Sequence, residues 1–74
     1  MNKETLNKAN EIIYEIEVLE EDLENLKSAD EFILKVDYLT HIYNSNMVLK
    51  WFTEPFISQV ETEIERLKKE LDSL

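Results

Sequence analysis

Phe32-Ile33-Leu34-Lys35-Val36-Asp37-Tyr38-Leu39-Thr40-His41-Ile42, then Tyr43-Asn44-Ser45-Asn46, then Met47-Val48-Leu49-Lys50-Trp51-Phe52-Thr53, is the stretch on which the fold turns. It is rich in β-branched and aromatic residues, which favour strands. Asn tolerates the left-handed backbone of tight turns, so Asn44-Ser45 is the predicted two-residue turn. In that register Ile42 faces Met47, Thr40 faces Leu49, Tyr38 faces Trp51 and Val36 faces Thr53, giving one nearly apolar face. A slip of one residue would bring Lys50 and Phe52 onto it. The opposite face carries Leu39, His41, Tyr43, Val48, Lys50 and Phe52. A continuous helix through the same residues is the competing reading.

Outward from this stretch the period changes to three and four. On the N-terminal side the apolar seam is Ala9, Ile12, Ile16, Leu19, Leu23, Leu26, with Leu6 and Ile13 widening it. On the C-terminal side it is Ile57, Val60, Ile64, Leu67, Leu71, Leu74. Such spacing lines one face of a helix, which must meet another helix to leave water. The wide stripe suits a bundle of three or four helices. Thr5 is a candidate N-cap for the first helix. Pro55 marks the start of the second, because its missing N–H costs nothing in a first turn; Thr53 and Glu54 are its candidate caps.

The expected fold is therefore α+β and mainly α: one domain over 1–74, with helix 1 at 3–29, a β-hairpin at 31–53 and helix 2 at 54–74. The helices form an antiparallel coiled coil, in an α-β-β-α order. Two registers compete. One sets Leu26 near Ile57 and covers the whole seam, bringing Glu20 near Glu61. The other is shifted one heptad, sets Leu26 on Ile64 and pairs Glu20 with Lys68, but strands Leu6, Ala9, Ile12 and Ile13. Burying a Leu or Ile is worth about 1.5–3 kcal/mol and an exposed ion pair about 0–1, so a monomer favours full coverage. A second subunit would make the shifted register tolerable.

A core built from 74 residues rarely supplies more than about 3–5 kcal/mol alone. With no Cys there is no disulfide to help, so a homodimer or higher oligomer is expected. The same absence fits a reducing cytoplasm. Met1-Asn2-Lys3-Glu4 leads into polar sequence, unlike a signal peptide, and no apolar run approaches the ~20 residues that span a bilayer. A cytoplasmic protein with no membrane partner is expected.

The net charge is -9. Residues 1–30 hold three basic and nine acidic side chains, residues 31–53 two of each, and residues 54–74 three and six. The acidity lies on the helices and the middle is neutral. Such a surface repels nucleic acid and anionic membranes and favours basic partners. Solvated coiled-coil faces look the same, and so would a mimic of a nucleic-acid phosphate rail.

Chemistry is sparsely marked. His41 is the only His, and no nucleophile stands at a diagnostic spacing from it, so it reads as a surface or packing residue and no enzyme is expected. Glu17, Glu20, Glu21, Asp22 and Glu24 read as a solvated helix face rather than a cation site. Gly is absent, which excludes phosphate-cradling loops, and no cofactor is expected. Lys35, His41 and Lys50, with Tyr38, Tyr43, Trp51 and Phe52, offer stacking and phosphate contacts for a nucleotide-like ligand at a subunit boundary; alternatively Tyr38 and Trp51 form a cross-strand core pair. The candidate binding surface is Lys35, Leu39, His41, Tyr43, Val48, Lys50 and Phe52.

Glu15-Ile16-Glu17, Leu19-Glu20 and Leu23, together with Phe56-Ile57, Val60 and Ile64-Glu65-Arg66-Leu67-Lys68-Lys69-Glu70-Leu71, resemble short coiled-coil reading frames of phages and prophages. The resemblance covers under half the chain and includes no site motif. It implies a stoichiometric accessory role, blocking a host defence protein or enzyme by binding. Three functions stay open on the sequence: an acidic inhibitor of another protein, an oligomeric sponge for a nucleotide-like molecule, and a structural assembly module.

Overall fold

The helix that begins at Asn46 runs unbroken to Asp72, through the residues expected to form a second strand. A computed structural model of the chain describes residues 2–74. The order is α1 (Lys3–Lys27), β1 (Phe32–Val36), β2 (Leu39–Tyr43) and α2 (Asn46–Asp72). The chain is thus mainly helical, with two helices flanking a two-stranded antiparallel hairpin.

The α1 start is set by Asn2 rather than Thr5: the Asn2 side chain accepts from the Thr5 backbone N–H at 2.8 Å. This satisfies one of the free donors of the first turn. The helix ends at Ser28, whose N–H and hydroxyl both return to the Glu24 carbonyl, at 3.1 and 3.0 Å. A side-chain hydroxyl here closes an end that has no glycine.

Three expectations about the middle are corrected. The hairpin turns at Asp37-Tyr38, between the partners Val36 and Leu39, and not at Asn44-Ser45. Among the described residues Asp37 alone takes positive φ, at 54°, which Asp tolerates better than most residues. Met47–Thr53 is helical, so helix 2 starts at 46 rather than 54, and Ser45 is its N-cap. The predicted Tyr38–Trp51 pair does not exist: Tyr38 sits in the turn at 95% exposure and Trp51 on a helix at 65%. The signal for helix was a seam continuing backwards, since Leu49 and Thr53 precede Ile57 at steps of four. Both are buried.

Pro55 therefore lies inside α2. It cannot donate to the Trp51 carbonyl, which ordinarily costs a helix interior about 3 kcal/mol. Trp51, Glu54 and Pro55 are all exposed, so water reaches the orphaned carbonyl. With the start moved back, the first turn of α2 holds no acidic residue. Its first acidic side chain is Glu54, two turns in.

The helices pack antiparallel with the seams facing. Ile12, Ile16, Ile64 and Leu67 form the core, flanked by half-buried Leu19, Leu23, Val60 and Leu71. Ala9 is also buried, Leu26 and Ile57 are half-buried, and Leu6, Ile13 and Leu74 are exposed. Leu26 shares a cleft with Ile57, and Lys8 Nζ lies 3.9 Å from Glu70 Oε1 near the other end. This is the full-coverage register and not the heptad-shifted one. The molecule is long, 50 × 25 × 15 Å. Its radius of gyration of 16.5 Å exceeds the ~11 Å of a compact chain this size.

Candidate functional site

The hairpin meets the helices through one aromatic joint. Phe52 of α2 stacks flat on Phe32 of β1, with centroids 4.5 Å apart and planes 2° apart. Its other neighbour is Tyr43 of β2, at 5.1 Å and 51°. Phe32 and Tyr43 are cross-strand partners, so Phe52 grips the base of the hairpin between its first and last residues. His41 follows on the same face, 6.2 Å from the Tyr43 ring. Aromatic pairs at these distances add about 0.5–1.5 kcal/mol to their area burial.

Beyond this joint the hairpin stands in solvent. Ile33, Leu34, Val36, Leu39 and Ile42 are all exposed. Side chains alternate between faces, so Phe32, Leu34, Val36, Leu39, His41 and Tyr43 share one face, and Ile33, Lys35, Thr40 and Ile42 the other. Both faces carry bare apolar side chains. A two-stranded hairpin in water is marginal by itself.

The candidate binding surface is accordingly divided. Leu39, His41 and Tyr43 share a hairpin face, while Lys35 lies on the reverse. Phe52 is engaged in the joint, Val48, one turn before it, is half-buried, and Lys50 lines a cleft of about 340 Å³ with Lys27, Asn46 and Thr53. Lys35, His41 and Lys50 therefore lie in three different places and form no single cationic pocket within one chain.

What the sequence reading missed is on the outer side of α2. Met47 and Trp51 are one turn apart, so they lie side by side, and they are 61% and 65% exposed. The signal was their spacing of four, hidden because the same residues fit a strand. A shallow groove of about 460 Å³ runs between α1 and α2 at the hairpin base, lined by Asp22, Asn25, Leu26, Phe32, Phe56 and Val60.

Charge on the helices is organised around Arg66. Its guanidinium pairs with Glu63, with Nε 3.1 Å from both carboxylate oxygens, and Nη1 reaches Glu70 at 3.3 Å. Hydrogen bonding to Arg66 holds the Glu63 carboxyl below its ordinary value, and Glu63 in turn raises the Arg66 guanidinium. Glu70 joins this set to Lys8 on α1. Glu17, Glu20, Glu21, Asp22 and Glu24 are exposed. Among the described residues no cluster of His, Cys, Asp and Glu is arranged to hold a metal, and no helix is long and apolar enough to cross a membrane.

No family model, curated protein or solved structure matches this chain.

Proposed function

We propose that this chain is an acidic, non-enzymatic binding protein that works as a homodimer in the cytoplasm and acts by occupying another protein, in the manner of phage-encoded inhibitors. The helical pair is a coiled-coil stem and the hairpin its head. The observation that carries the reading is the Met47–Trp51 pair. Trp and Met are enriched where proteins meet, and a buried Trp is a frequent anchor of binding energy. Here both stand bare on the helix that carries the joint residue Phe52, which follows Trp51 directly. The acidic stem gives the approach its sign: it steers a basic surface toward the head and repels nucleic acid.

The test is a photo-crosslinking residue placed at position 51 in cells, with one at Glu15 on the stem as control. A discrete heterologous adduct at 51, absent at 15 and lost when Met47→Ala is added, supports the reading. Adducts to its own chain alone at both positions would remove it. Phe52 and Tyr43 are unsuitable probes, since alanine at either loosens the head.

A further inference from the structure

We propose that a second copy of this chain covers the hairpin by pairing β2 with its symmetry mate, making a four-stranded antiparallel sheet in the order β1-β2-β2-β1. This rests on the dimer reading above and assigns the surface that makes the dimer.

Area argues for an occupant of this size. A folded chain of 8.9 kDa ordinarily exposes about 4,800 Å², and this one exposes 6146 Å². The excess, about 1,300 Å², is of the order that each partner loses in a stable interface, roughly 800 Å² or more. The hairpin contributes Ile33, Leu34, Val36, Tyr38, Leu39 and Ile42 to the exposed apolar side chains.

Charge says that the occupant is a copy. Two chains of net charge -9 meet with least repulsion where they are neutral, and the hairpin, residues 32–43, carries one basic and one acidic side chain, Lys35 and Asp37. Contact through the acidic stretches of the helices, residues 3–27 and 54–72, would set carboxylates against carboxylates.

The choice of edge follows from the strands. β2, Leu39–Tyr43, carries no Lys, Arg, Asp, Glu or Pro, the devices that guard an open edge. β1 carries Lys35. Pairing β1 with its own mate about Leu34 would also set Glu31 opposite Asp37. A β1-to-β2 contact is head-to-tail and leaves an edge open for further chains. Pairing β2 about His41 closes after two copies and uses the whole strand. Leu39 then faces the partner copy's Tyr43, Thr40 its Ile42, and His41 the same residue across the axis. Tyr43 is packed on Phe52, so each aromatic joint extends over the other copy's bare Leu39. The two Lys35 strands become the outer edges.

The experiment uses the full chain and reads mass in solution by native mass spectrometry and light scattering. Wild type is expected to be dimeric. His41→Asp and His41→Lys each place like charges opposite one another and weaken the dimer by about ten- to a hundredfold. Mixing the two variants restores a one-to-one heterodimer, a result that a folding defect or a change in net charge does not produce. If either variant alone dimerises as wild type does, or the mixture stays monomeric, β2 pairing is overturned while the dimer reading survives. If wild type is monomeric at every concentration, both are lost.

Discussion

Phe52 is the residue on which the head depends. The hairpin has one firm attachment, the stack of Phe52 between Phe32 and Tyr43, and its remaining apolar side chains contribute little within a single chain. Phe52→Ala should cost about 2 kcal/mol, below the 3–5 of a fully buried Phe because the ring is only half covered. In native-state hydrogen exchange the loss should fall on residues 32–43, with protection of the stem core nearly unchanged. A uniform loss over both helices would show that head and stem fold as one unit instead. Glu63 offers a second test at this scale. Its carboxyl is held below the ordinary value of 4.5 by Arg66, so its contribution is present above that pH and is lost as pH falls through the lowered value. The difference in urea midpoint between wild type and Glu63→Gln should be positive at neutral pH and close in acid. The pair lies at the solvent-facing surface, so the difference is small, and added salt should narrow it.

At the scale of elements, what could be read from the sequence divides cleanly by mechanism. The stem seams were legible because Ile12, Ile16, Ile64 and Leu67 repeat at a helical period that nothing local contradicts, and these are the buried residues. The hairpin was legible as a hairpin, but its turn was misplaced. Asn44-Ser45-Asn46 carries the stronger turn chemistry, and it serves instead as the link into α2, with Ser45 as cap. Asp37 was passed over because one Asp between apolar residues is a weak signal until the backbone needs positive φ. Residues 47–53 were misread because β-forming composition outweighed the four-residue spacing of Leu49, Thr53 and Ile57, and because Pro55 looks like a helix start. Burial decided otherwise: Leu49 and Thr53 are buried and line one cleft with Leu26 and Lys27 at the end of α1. The exposed Met47–Trp51 pair was lost with that misreading, since its two members are neighbours only on a helix. Pro55 now sits ten residues into α2 at an exposed position, where its ring costs a hydrogen bond and nothing visible repays it. Pro55→Ala should raise stability by about 2–3 kcal/mol, read as a higher urea midpoint with an unchanged slope. A fall would mean that the head requires a bend there.

For the molecule as a whole, the question is whether one chain buries enough to stand alone. Among the described residues the buried apolar side chains are Ala9, Ile12, Ile16, Leu49, Ile64 and Leu67, a single layer between two helices. Domains of this size need a staple, and without Cys none is covalent. If a second copy supplies it, folding and association are one equilibrium, and stability depends on protein concentration by mass action. The thermal midpoint should then rise by several degrees over a hundredfold increase in concentration, roughly the effect of 1–3 kcal/mol on a domain of this length. The same dependence separates two kinds of variant. Leu67→Ala, in the stem, should lower the midpoint at every concentration, by an amount set by a loss of about 2–5 kcal/mol. His41→Asp, at the head, should lower it at high concentration only and flatten its slope toward zero, because it removes the association and leaves the core intact. A midpoint independent of concentration in wild type would mean that the thin core suffices, and that the bare hairpin is carried at the monomer's own expense.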